Sequence, residues 1–224
     1  MPSNFVITDC ETAPLQDVDV WLPEFKPAGN IKDAEKRAAN VAEKREKAVE
    51  GAALDPDLCR IVYLGAWWPD DPHPMLFQCD SEEAERYALR EFWDLWALGR
   101  RRNAGLQLLG YNVLSFDIIV MLRRSLYLGV KAPELHRGRY RHDDVCDLFS
   151  ILSEDGQLPY RALDYYHRRL GCPPVADTIT GADVPACVAR GEWDKVRAHL
   201  LTDLVRVRDV ARRMGVLAGE AVTA

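Results

Sequence analysis

The chain has 224 residues, 48% of them hydrophobic and 29% charged, which is the composition of a soluble globular protein. A formal charge of −6 excludes a generic cationic nucleic-acid coat, but not a nuclease whose own metal ions reverse the local field. The six cysteines are scattered with no Cys-x-x-Cys pair, and no apolar run approaches membrane-spanning length, so zinc, disulfide, secretory and membrane classes drop out and a cytoplasmic, soluble protein is expected.

The first element is the run Phe5-Val6-Ile7-Thr8-Asp9-Cys10-Glu11-Thr12. Read as a strand, it points Asp9 and Glu11 to the same side. Two like charges at a strand entering the interior are costly, and no Lys or Arg lies nearby in sequence. A divalent ion is the simplest neutraliser, since carboxylate oxygens suit Mg²⁺ or Mn²⁺. Residues 22–32 carry Pro23, Pro27 and Gly29 and read as a loop. From 33 to 53 Lys, Arg, Glu and Ala dominate, which predicts an exposed helix. A solvated insertion is the preferred reading of it, a substrate-gripping arm the other.

Arg60–Trp68 and Met75–Cys79 read as strands joined at Pro69-Asp70-Asp71-Pro72, hence a hairpin. A helix is expected from Ser81, with Ser81 as its cap and Glu82 and Glu83 at its positive end. Leu106–Tyr111 reads as another strand. An apolar helix follows Ser115, a candidate N-cap, and this places Asp117 in the first turn. On that segment alone Asp117 is equally well a metal ligand or an ordinary helix-start residue. The second half reads as mostly helical, with breaks near 132–138, 155–159, 171–174 and 181–191. Strands first and helices after suggest a mixed sheet with helices packed on it.

The last helix, Trp193–Met214, carries an apolar stripe at Val196, Leu200, Val207, Val210 and Met214. Asp203 occupies the missing position of that stripe, where a carboxylate needs a metal, a cation or a cavity. A buried ion pair with one of the many arginines is the plain alternative. His199 stands one i,i+4 step before Asp203, on the neighbouring part of the same face.

Asp-x-Glu-Thr after the first strand, Asn-x-x-x-Phe-Asp at 112–117 and a His four residues before Asp203 together resemble the three ordered motifs of the DEDD-superfamily 3′-5′ exonucleases. The phrasing is most similar to the branch related to the proofreading domain of family B DNA polymerases, including its stand-alone members. The resemblance runs from Asn4 to about Gly215, and the charged helix at 33–53 looks like an insertion of such members. It implies an α/β, ribonuclease-H-like mixed sheet flanked by helices, in a single exonuclease domain over 1–224. It further implies that Asp9, Glu11, Asp117 and Asp203 hold two divalent cations, Mg²⁺ or Mn²⁺, and that His199 orients or deprotonates the attacking water. Thr12, Asn112 and Phe116 match positions near the terminal nucleotide, although Phe116 fits the core as well. The implied substrate is the 3′ end of a single strand, DNA ahead of RNA, with nucleoside 5′-monophosphates as products. Association with replication or repair proteins is conceivable on the same ground.

One departure stands out. The His-type branch has its histidine five residues before the last Asp and the Tyr-type branch a tyrosine four before, so His199 is a histidine at the tyrosine spacing. A catalytically silent nucleic-acid-binding module of the same fold therefore stays open. So does a haloacid-dehalogenase-like phosphohydrolase, with Asp9 opening its first motif and Asp143-Asp144 as its late acids, although the spacing around Glu11 and Thr12 fits that motif poorly. Asp143, Asp144 and Asp147 otherwise read as a solvated helix start, with an outer-shell carboxylate the other reading. The arginines at 100–102, 123–124, 137–141, 168–169 and 206–213 are candidates for a phosphate path. Trp67-Trp68 offers base stacking, with one of the two expected in the core.

Overall fold

The computed structural model describes residues 4–136 and 143–218. Its central strand, β1 (Phe5–Pro14), has two apolar faces. Val6 and Cys10 join one core cluster, while Ile7 and Ala13 join a second on the opposite side. Asp9 and Glu11 therefore share the face of Ile7, as alternation requires.

Against β1 runs β2 (Cys59–Trp67), antiparallel, and β3 (Met75–Gln78) completes the expected hairpin on its outer edge. On the other side β4 (Gln107–Gly110) and β5 (Val145–Asp147) are parallel to β1. The sheet order is β3-β2-β1-β4-β5. Between β1 and β2 the register slips at Glu11/Thr12, so that Val62 has no partner residue on β1. Val62 and Tyr63, although consecutive, then both face the second cluster, the mark of a bulge.

The helices cover both faces. After the short α1 (Val18–Trp21) comes α2 (Ala34–Gly51), capped by Asp33, whose side chain accepts from the Lys36 amide. None of its residues is buried, as the charged composition predicts. The helix α3 (Glu82–Arg102) starts at Ser81, whose hydroxyl accepts from the Ala84 amide. It covers one face together with α4 (Asp117–Tyr127). The two are joined to the sheet by a buried pair: Arg124 donates twice to Glu85, at 2.7 and 2.8 Å, and Glu85 also accepts from the Ile61 amide. Arg124 is thus a structural cation, off any phosphate path.

On the opposite face α5 (Leu148–Leu152), α6 (Leu163–Arg169), α7 (Val184–Ala189) and the long α8 (Trp193–Arg213) follow in order. Val196, Leu200, Leu204, Val207 and Val210 of α8 are fully buried against the sheet. The close approach needs Gly65, which pairs with Asp9 on β1. A Cβ there would lie 2.7 Å from Leu204 Cδ1. No helix among the described residues is long and apolar enough to cross a membrane.

Three expectations need correction. Ser115 does not cap α4: the cap position is Phe116, with no side-chain hydrogen bond. Asp147 does start α5, but it is buried, not solvated. It accepts from the amides of Asn112, Leu114 and Phe149, and so holds the loop after β4. Asp144 is likewise buried, against Arg100 and His136. Asp147 ends β5, which is three residues long and too short for alternation to reveal, and Asp144 lies just before it.

Candidate active site

β4 stops at Gly110, opposite the early part of β1, so the later residues of β1 have an open edge on that side. The Cys10 amide on that edge donates to Asp117 Oδ1 at 2.9 Å, which brings the start of α4 against Asp9 and Glu11. From the opposite face α8 contributes His199 and Asp203 one turn apart. His199 Nε2 lies 3.7 Å from Glu11 Oε1 and 3.7 Å from Asp203 Oδ2.

All five residues line one open cavity of about 570 Å³. Phe116 lines it too while packing against the first core cluster. Thr12 and Asn112 do not line it. The Thr12 hydroxyl is committed to the Ala53 carbonyl at 2.6 Å, and Asn112 bends the chain at a φ of 62° with its amide held by Asp147. Trp67 is core, its ring under the Arg208 guanidinium, and Trp68 packs partly on the other cluster. Neither tryptophan reaches the cavity. The Asp143-Asp144 pair is also outside it, which removes the second acid site that a haloacid-dehalogenase-like chemistry requires. The arginines at 137–141 lie outside the described residues.

Two further residues complete the site: Asp177, which the sequence does not single out, and Arg206, one of the arginines at 206–213. Asp177, in the loop before α7, places both carboxylate oxygens on His199 Nδ1, at 3.0 and 3.1 Å. Arg206, one turn after Asp203, donates to Asp203 Oδ1 and Asp177 Oδ2, both at 2.9 Å. The ion-pair reading of Asp203 is thus met by Arg206. Arg206 is the only Lys or Arg among the described lining residues.

The electrostatics follow from crowding. Burial, then Asp117, Glu11 and Asp203, push the Asp9 carboxyl well above its ordinary range. Glu11 is raised by burial and by Asp203, Asp117 and Asp177. Burial lifts Asp117 to about 6, against the pull of the Cys10 amide. Asp203 is raised by burial too, although His199 and Arg206 oppose it. Carboxylates that raise one another this way lack positive charge. Glu11, His199 and Asp203 each offer a ligand atom, all within 4.8 Å of one another. A set of hard oxygens with one imidazole fits divalent ions such as Mg²⁺ or Mn²⁺.

Residues 57–221 match the model of a family described as a predicted 3′-5′ exonuclease related to the exonuclease domain of PolB. The chain belongs to this PolB-related exonuclease family. The matched residues include Asp117, His199 and Asp203, while Asp9 and Glu11 precede them. The family B DNA polymerase of the hyperthermophilic archaeon Pyrobaculum calidifontis has a similar fold, with a TM-score of 0.64 at 16% identity. That likeness covers 94% of this chain and 24% of the polymerase, so the chain spans about a quarter of its length. The mixed sheet is therefore the ribonuclease-H-like fold of PolB-type exonuclease domains. Among curated proteins none matches.

Proposed function

We propose that this PolB-related exonuclease family member removes nucleotides from the 3′ end of single-stranded nucleic acid, DNA in preference to RNA, releasing nucleoside 5′-monophosphates. The observation that carries the reading is the convergence of Asp9, Glu11, Asp117 and Asp203 on one cavity, with the His199 ring between Glu11 and Asp203. The four carboxylates would hold two divalent cations. When bound, these supply positive charge against the charge that builds on phosphorus and its oxygens during in-line displacement.

The remaining work belongs to the chain. His199 Nε2 faces the carboxylates and is placed to accept a proton from the attacking water. Asp117, fixed by the Cys10 amide, is already oriented before any ion arrives. At the cavity wall the exposed Tyr160 ring is backed by Phe149 at a centroid distance of 5.3 Å, and it presents a face on which a base near the 3′ end can stack.

One observation favours a second reading, a binding module without turnover: Arg206 already pairs with Asp203 where a cation would bind. A 5′-labelled single strand with Mg²⁺ or Mn²⁺, offered as DNA and as RNA, separates the two. Stepwise shortening from the 3′ end, lost in Asp9→Ala and Asp203→Ala, is the expected result. Tight binding with no shortening would leave the module reading standing.

A further inference from the structure

His199 sits one residue away from the histidine spacing its family resemblance leads one to expect, and Asp177 bears on how the ring is aimed from there. Asp177 lies in the stretch between α6 and α7, which carries no periodic pattern. Its carboxylate is nonetheless well fixed. The Thr202 hydroxyl of α8 donates to the preceding Ala176 carbonyl at 3.2 Å. Arg206 donates to Oδ2 from below, and a Thr180–Asp183 capping box closes the loop beyond. Both Asp177 oxygens then face one atom, His199 Nδ1.

A carboxylate accepts only. A neutral His199 facing it must therefore carry its proton on Nδ1, which leaves the lone pair on Nε2, the nitrogen that looks at Glu11 and Asp203. Which ring nitrogen is protonated is set by the partner of the other.

We propose that Asp177 is the positioning residue of this site: it fixes the His199 tautomer and ring plane so that Nε2 can receive the water proton. The proposal rests on the exonuclease reading for its catalytic consequence but not for its structural content. Asp177 touches neither substrate nor reacting atoms in this scheme. It acts through His199, and Arg206 acts through it.

The test uses the full chain with Mg²⁺ or Mn²⁺ and a labelled single strand. Asp177→Ala should lower kcat by about 10- to 100-fold, the usual effect of removing a group that orients a site residue, with KM changed by less than about threefold. Asp177→Asn has one acceptor for two donors; with its Oδ1 on Arg206 its NH2 faces His199 Nδ1, so it should move the ring proton to Nε2 and lower kcat at least as much as Asp177→Ala. In a His199→Ala background, Asp177→Ala should cost nothing further. Nitrogen-15 NMR of the imidazoles, with His199 assigned by its loss in His199→Gln, should show the proton on Nδ1 in wild type and a shift toward Nε2 in Asp177→Ala.

Wild-type kcat in Asp177→Ala, an equal loss with and without His199, or a wild-type ring protonated on Nε2 would each overturn the proposal. Should no strand be degraded at all, the exonuclease reading fails while the tautomer measurement still decides the Asp177 assignment. Should Asp177→Ala fail to fold, wild type and Asp177→Asn suffice for it.

Discussion

Asp117 shows most directly what the site costs the fold. Its carboxyl is lifted to about 6 in the folded protein from an ordinary value of 3.8, with burial as the main cause. A raised acid means that the folded state holds the proton more tightly than the unfolded chain does. That stabilisation is fully present below the unfolded value and is lost as pH rises through 6. At neutral pH the metal-free protein therefore carries a penalty that Asp117 shares with the carboxylates crowded around it. Asp117→Asn keeps an acceptor for the Cys10 amide and removes the charge. In EDTA at pH 7.5 it should be more stable than wild type by about 1–3 kcal/mol in urea unfolding, with the gap closing toward pH 4. Millimolar Mg²⁺ should reverse the order, because only wild type gains from binding, and the variant should degrade no strand. A variant less stable than wild type in EDTA would contradict this account of the crowded carboxylates.

At the scale of elements, the buried Glu85–Arg124 pair joins α3 and α4 and holds the Ile61 amide of β2. Arg124→Ala leaves an unpaired carboxylate in the core and should destabilise by about 3–5 kcal/mol in urea unfolding. Activity per folded molecule should stay near wild type, since neither residue lines the cavity. What the sequence made legible follows the same division into elements. Asp9 and Glu11 could be read because a strand has period two, whereas the place in the helical stripe that the sequence assigns to Asp203 is in fact filled by Leu204, with Asp203 lying beside it. Asp117 could be read as a helix start even though its expected cap, Ser115, plays no part. Asp177 escaped because no period governs a loop, and the burial of Asp147, correctly read as a helix start, escaped because a strand of three residues shows no period. Arg206 stands in the sequence only as one of several candidate arginines, because an arginine on a helix looks like solvated surface until the opposing loop is in place.

For the molecule as a whole, α2 is the clearest separable part. It buries none of its own residues, whereas Ala52 and Ala53 just beyond it are buried, and Ala53 anchors Thr12. Replacing 34–51 by a Gly/Ser linker of about twelve residues, enough to span a helix of roughly 27 Å, should leave Tm within a few degrees and strand degradation within about threefold. A KM raised more than about tenfold with kcat kept would instead make α2 an arm that grips substrate. The rest is less divisible, because the cavity draws on both ends of the chain and on both faces of the sheet. The clearance between α8 and β2, beside Asp9 of β1, is set at Gly65, by a side chain that is not there. That position works as a spacer of zero thickness: it fixes the gauge of the site and contributes no chemistry to it. A single methyl group at this position would leave every functional group present, yet press on Leu204 and so on the helix that carries both His199 and Asp203, so an inventory of intact functional groups would miss the fault.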